Sequence, residues 1–164
     1  HLGGRRRLVP AAAGMATLGG FLALVGWLLV LVAETLDLAA YISLPAAYAR
    51  GPDTASLTFV MLQTAGRMVR TWGYLLVGLG VGALGGGMLR QAGWPRGLGY
   101  LGLVGMIVGG MMFAFEYFLV TGTGDAGGGL AQAFEALFIL LGLITAVWHA
   151  WGGAQLLRDG GGAG

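Results

Sequence analysis

Residues 8–33 read LVPAAAGMATLGGFLALVGWLLVLVA, and this stretch decides the fold class. It carries no charge over 26 positions. An α-helix needs only about 20 residues to cross roughly 30 Å of hydrocarbon. Three further apolar runs follow, Thr71–Leu89, Gly97–Val120 and Leu130–Leu157, parted by short stretches that hold nearly all the charge. Composition agrees: 57% of residues are hydrophobic, only 10% are charged, and the mean hydropathy is +0.80. Water-soluble domains carry about 25% charged residues. The expectation is an all-α polytopic membrane protein, a four-transmembrane-helix bundle in one domain over residues 1–158, with a flexible tail at 159–164.

The residue types that are missing exclude several chemistries. Without lysine there is no Schiff base to retinal or pyridoxal phosphate. Without cysteine there is no disulfide, thiolate nucleophile or sulfur-ligated metal. Asparagine is absent as well, so no N-glycosylation acceptor exists. Joint loss of lysine and asparagine follows codon usage in a GC-rich genome, which points to a bacterium. Arg5–Arg6–Arg7 precede an apolar run too long for a signal-peptide core, so a retained membrane anchor is expected.

Arginine placement orients the chain. With four spans, Arg5, Arg6, Arg7, Arg90, Arg96 and Arg158 fall on one side, and Arg50, Arg67 and Arg70 on the other. By the positive-inside rule both termini lie in the cytoplasm, in a bacterial inner membrane. Glu34, Asp37, Asp53 and Asp125 then lie in the outer connections, with Glu116 and Glu135 in the outer halves of their helices.

The connections differ in kind. Gln91–Arg96 is tight and forces an antiparallel hairpin. Thr121–Gly129 is a glycine-rich loop with one charge. The long outer segment, Glu34–Arg70, holds Pro45 and Gly51–Pro52 as breakers, then Asp53 or Thr54 as an N-cap. A helix over 54–70, with Leu57, Val60, Met61 and Met68 beside polar residues, is expected to lie in the outer interface before turning inward.

Glycine accounts for 34 residues. Gly78, Gly82 and Gly86 form one ridge, Gly102, Gly105 and Gly109 a second, and Ala16, Gly20 and Ala23 a third. Small residues at this spacing let membrane helices pack closely. No phosphate-cradling loop is expected, because these glycines lie within apolar helices.

Polar residues inside the spans are the lead to function. Glu116 lies seven residues after Gly109, on its ridge face. Glu135 shares a stripe with Phe138, Gly142, Thr145, His149 and Gly152. Glu34 ends the first span, and Arg67 and Arg70 enter the second at the same level. A charge within the membrane is costly unless it is paired or wet. The cluster of Glu34, Glu116, Glu135, Arg67 and Arg70 therefore reads in three ways: a structural ion-pair network, a cation or proton site, or a contact with a partner. His149, between Trp148 and Trp151, reads as an interfacial residue or as the axial ligand of a tetrapyrrole, haem or chlorophyll. As the only internal histidine, it cannot make a bis-histidine site within one chain.

Two catalytic patterns fail. Gly122-Thr123-Gly124-Asp125 matches the GxGD string of intramembrane aspartyl proteases, but no span interior supplies a second aspartate. Ser43 and Ser56 are the only serines, and neither suits a dyad with His149. No catalytic residue, protein-bound metal or nucleic-acid partner is expected.

The string GGGMLRQAGWPRGLGYLGL, Gly85 to Leu103, resembles a loop of uncharacterised bacterial multi-spanning membrane proteins. There, too, a short basic turn with Pro-Arg precedes another glycine-rich span. The likeness extends over roughly a third of the chain and implies no activity. The expected role is a structural or accessory subunit, in the bilayer with other membrane subunits or with copies of itself. A small cation or proton transporter is the alternative, and a tetrapyrrole-binding subunit a third.

Overall fold

The computed structural model describes residues 10–91, 93–121 and 128–160, and four helices occupy nearly all of them. They are α1 (Pro10–Tyr48), α2 (Pro52–Arg90), α3 (Arg96–Thr121) and α4 (Gly128–Gly160). All four contain segments long and apolar enough to cross a membrane, and no strand occurs among the described residues. The all-α four-span reading holds. Arg5–Arg7, the Gly122–Asp125 string and the end of the tail lie outside the described residues.

The outer segment departs from expectation. α1 does not stop at Ala33 but runs on to Tyr48, and residues 54–70 are no separate interfacial helix but the first part of α2. Each of these helices has 39 residues, about 58 Å at 1.5 Å per residue, almost twice the hydrocarbon thickness. Together they form one long antiparallel hairpin.

The cause is a seam of small residues that crosses the charged level without interruption. On α1 it consists of Gly19, Gly26, Ala33, Ala40 and Ala47, one every seven residues and all buried. On α2 it consists of Gly66, Gly73, Gly80 and Gly87, at the same interval and also buried. A Cβ placed on Gly26 would stand 2.7 Å from the carbonyl oxygen of Gly73, and one on Gly80 would stand 2.6 Å from that of Gly19. Contact this close is backbone against backbone. Beyond the membrane-sized portion the pairing continues, with a Cβ on Gly66 3.3 Å from the Ala33 oxygen and the Tyr41 and Phe59 rings 5.5 Å apart. Residues 54–70 bury their small face on α1, which leaves no reason to lie flat.

The breakers act later than expected, and the cap lies elsewhere. Pro45 sits inside α1, close enough to its end that the lost N–H bond leaves only one further turn to hold. The amide of Ala49 still donates to the Pro45 oxygen at 3.2 Å. Reversal occurs at Gly51, whose φ of 128° is open to glycine and strained for other residues. Pro52 then takes the first helical position, which suits its fixed φ and missing N–H. Gly51 is therefore the N-cap position, rather than Asp53 or Thr54.

A different face of α2 packs on α3. A Cβ on Gly78 would lie 3.1 Å from the Gly109 Cα, and one on Gly102 would lie 2.9 Å from the Gly85 Cα. The predicted ridges thus divide by what they face. Gly78, Gly102 and Gly109 meet backbone, whereas Gly82 meets Met106 from its Cβ outward and Gly105 meets Val81 and Ile144. Gly86 faces α1, where only the Met15 methyl comes within 4 Å. Of the stripe Ala16, Gly20 and Ala23, Ala23 lies against Gly80 on α2, whereas Gly20 meets nothing within 4 Å and its neighbour Gly19 takes its place.

The helices pack in chain order, α1 on α2, α2 on α3 and α3 on α4. Their side chains still meet in a common core of Val30, Tyr74, Val108, Met112, Leu141 and Ile144. A second cluster, Val77, Val81, Leu98 and Trp148, fills the end nearer the α2–α3 turn.

Candidate functional site

From Arg96 to Glu116 the α3 backbone rises about 30 Å, one hydrocarbon thickness. Arg90 and Arg96 therefore mark one boundary of the membrane-sized bundle, and Glu116 marks the other. At that second boundary α1, α2 and α3 each bring charge to the same level, and Arg70 is the centre.

The Arg70 guanidinium reaches carboxylates on both neighbouring helices. Its Nη2 donates to Asp37 Oδ2, its Nε lies 3.2 Å from Glu34 Oε1 without hydrogen-bond alignment, and its Nη1 lies 3.9 Å from Glu116 Oε1. Burial grades across the set. The Glu116 side chain is 5% exposed, Arg70 15%, Asp37 22% and Glu34 56%. A planar fork with five donors can address several acceptors at once, which a lysine ammonium does less well.

Local packing fixes this geometry. Gly66, one turn before Arg70, lets Asp37 settle onto the α2 backbone; a Cβ there would stand 2.7 Å from Asp37 Oδ1. That oxygen is buried and has no hydrogen-bond partner among the described residues. Tyr74, one turn after Arg70, is 2% exposed and forms the apolar floor, its ring 6.1 Å from that of Phe138 on α4. Thr71 returns its hydroxyl to the Arg67 carbonyl at 2.7 Å. Beside the cluster, Trp72 meets Phe113 edge-on at 5.5 Å and Phe113 stacks on Tyr117 at 6.1 Å. Aromatic residues at this depth belong at a membrane interface.

The expected cluster is thus partly assembled. Glu34, Glu116 and Arg70 come together, and Asp37, assigned beforehand to the outer connection, joins them as the closest partner of Arg70. Arg67 and Glu135 are exposed and make no ion pair among the described residues. In the sequence, charge at Glu34 marks the end of the first apolar run, which hides Asp37 as part of the same helix. Its three-residue step from Glu34, one helical turn, was the available signal.

The carboxylates converge on a guanidinium, not on a vacant point. Among the described residues no three histidine, aspartate or glutamate side chains form a group able to hold a metal. His149 stands apart on the exposed side of α4, its Nδ1 2.6 Å from the Thr145 carbonyl oxygen and its ring edge-on to Trp148 at 5.3 Å. Trp148 is itself buried, and its Nε1 has no partner among the described residues.

No family model, curated protein or solved structure matches this chain. Function has to be read from the geometry.

Proposed function

We propose that this protein is a structural or accessory subunit of a larger membrane assembly. The observation that carries the reading is Arg70, which ties two carboxylates of α1 and one of α3 to α2. An arginine in that place fastens helices and occupies the position a transported cation would need. The broad apolar faces of α1 and α4, with Phe21, Leu24, Leu31, Phe138, Ile139 and Leu143 46–63% exposed, leave ample surface for neighbours in the bilayer. The test is native mass after gentle solubilisation from the source membrane. A species well above 16.8 kDa plus detergent is expected, and a bare monomer would remove the reading.

The second reading, a small cation or proton transporter, draws on the charge balance at the outer boundary. Glu34, Asp37 and Glu116 outnumber Arg67 and Arg70 by one. Cation- or pH-dependent flux in liposomes that Glu116→Gln abolishes, with unchanged melting, would put this reading first.

The orientation proposed from the arginines places both termini in the cytoplasm of a bacterial cell, and the Arg50–Gly51 turn outside. A reporter active only in the cytoplasm should then work when fused after Gly164 and fail when inserted at Gly51. The reverse pair of results would move the Arg70 cluster to the cytoplasmic boundary.

A further inference from the structure

α1 has a second stripe, beside the buried seam, that stays exposed although Tyr41 touches Phe59 and Glu34 reaches Arg70 at its α2 edge. Gly20, Trp27, Glu34 and Tyr41 recur every seven residues, and all four are exposed. Leu24, Leu31 and Leu38 take the alternating positions and are 61%, 63% and 59% exposed. Alternate steps of three and four form the line of contact between paired helices. At Gly20 nothing lies within 4 Å of where a Cβ would be, so a partner's backbone could come close there.

Lipid satisfies the apolar members of this stripe but not Glu34. That carboxylate stands at the hydrocarbon boundary, 56% exposed, and shares Arg70 with two others. Even with Arg67 counted, the layer holds more carboxylates than guanidinia. The missing charge is positive, and the exposed carboxylate is the one on this stripe. A second copy packed in parallel along this stripe would set Glu34 against Glu34, because equal depths meet. Like charges at the edge of a low-dielectric medium oppose that pairing.

We propose that this stripe of α1 docks a membrane-spanning helix of another protein, one that carries an arginine or lysine near its outer end. The small residue at Gly20 admits the partner's backbone, Leu24, Trp27 and Leu31 pack along it, and the partner's cation sits on Glu34. The proposal rests on the accessory-subunit reading and names the chemistry of the partner.

The test uses full-length protein in phosphatidylcholine vesicles, with energy transfer to synthetic leucine-alanine transmembrane peptides. One peptide has a single arginine near its outer end, and its control has leucine there. The arginine peptide should bind about tenfold more tightly, in keeping with the cost of an unpaired charge in the membrane. Glu34→Gln should remove that preference. Gly20→Leu, which meets no neighbour within the chain, should leave melting unchanged and weaken both peptides. Equal binding of the two peptides, a preference that survives Glu34→Gln, or self-association that excludes both peptides would overturn the proposal. If native mass still shows a large assembly, such a failure concerns the partner's chemistry alone; a native monomer would instead remove the accessory reading.

Discussion

Arg70→Met is expected to lower stability by about 3–5 kcal/mol, the range for breaking a buried ion pair by removing one partner. The substitution leaves Glu34, Asp37 and Glu116 at one level with no guanidinium between them. Glu116 suffers most, because its side chain is 5% exposed and water cannot take the place of Arg70. Adding Glu116→Gln to Arg70→Met should therefore restore part of the loss. Arg70→Lys should fall between, since one ammonium cannot reach both neighbouring helices as the fork does. Arg67→Gln provides the control, with a change within about 0.5 kcal/mol expected for an exposed residue outside the ion pairs. Tryptophan fluorescence during denaturation in detergent would follow all four. Equal loss in the Arg70→Met and Arg67→Gln proteins would mean that the cluster does not fasten the helices.

Gly80→Ala should rank next, at several kcal/mol, although it adds a single methyl group. The new Cβ would press on the backbone of Ala23 and stand 2.6 Å from the Gly19 carbonyl oxygen, so α1 as a whole must move away. Rigid backbone cannot yield as a side chain can, and overpacking of about 1–3 kcal/mol or more follows. Gly86→Ala offers the contrast, because its Cβ meets only the end methyl of Met15, 3.1 Å away, which can swing aside. Gly142→Ala meets nothing within 4 Å and should gain up to about 1 kcal/mol from helix propensity. Comparable melting of the Gly80 and Gly142 variants would dismiss the seam as the source of the hairpin's stability.

Hydrophobic runs revealed the membrane-sized portions of all four helices, since uncharged stretches of that length have few other outcomes. They did not reveal how far α1 and α2 extend, because charge at Glu34, Asp37, Arg67 and Arg70 was read as the border of each element. Arg70 pairs with Glu34 and Asp37 across the seam while Arg67 stays exposed, so the helices pass through that level intact. The heptad of Gly66, Gly73, Gly80 and Gly87 was visible in the chain and would have shown α2 to be continuous. It was hidden by a second set of glycines on the same helix, Gly78, Gly82 and Gly86, whose four-residue spacing is more familiar. The site was legible in part for the same reason. Depth placed Glu34, Glu116 and Arg70 together, but depth alone cannot tell which of Arg67 and Arg70 turns inward. Those two are three residues apart and so occupy adjoining faces, and only the packing of Gly66 and Gly73 on α1 decides between them. Glu135 failed because it lies on the exposed side of α4, near the start of that helix and outside the cluster.

The repeat along α1 and α2 has a further consequence, which concerns alignment rather than strength. A seam in which small residues return every seven positions looks the same to itself after a slide of seven. Moving α2 along α1 by that interval, about 10 Å, would set Gly73 beside Ala33, Gly80 beside Gly26 and Gly87 beside Gly19, small against small once more. Close packing alone is therefore degenerate among shifted pairings. What breaks the degeneracy is not periodic: the four-residue reversal at Tyr48–Gly51, and Arg70, which a slide of seven would carry two turns from Glu34 and Asp37. In this hairpin the glycines supply adhesion, and a single charged side chain with a single turn selects which of several equivalent alignments the chain adopts.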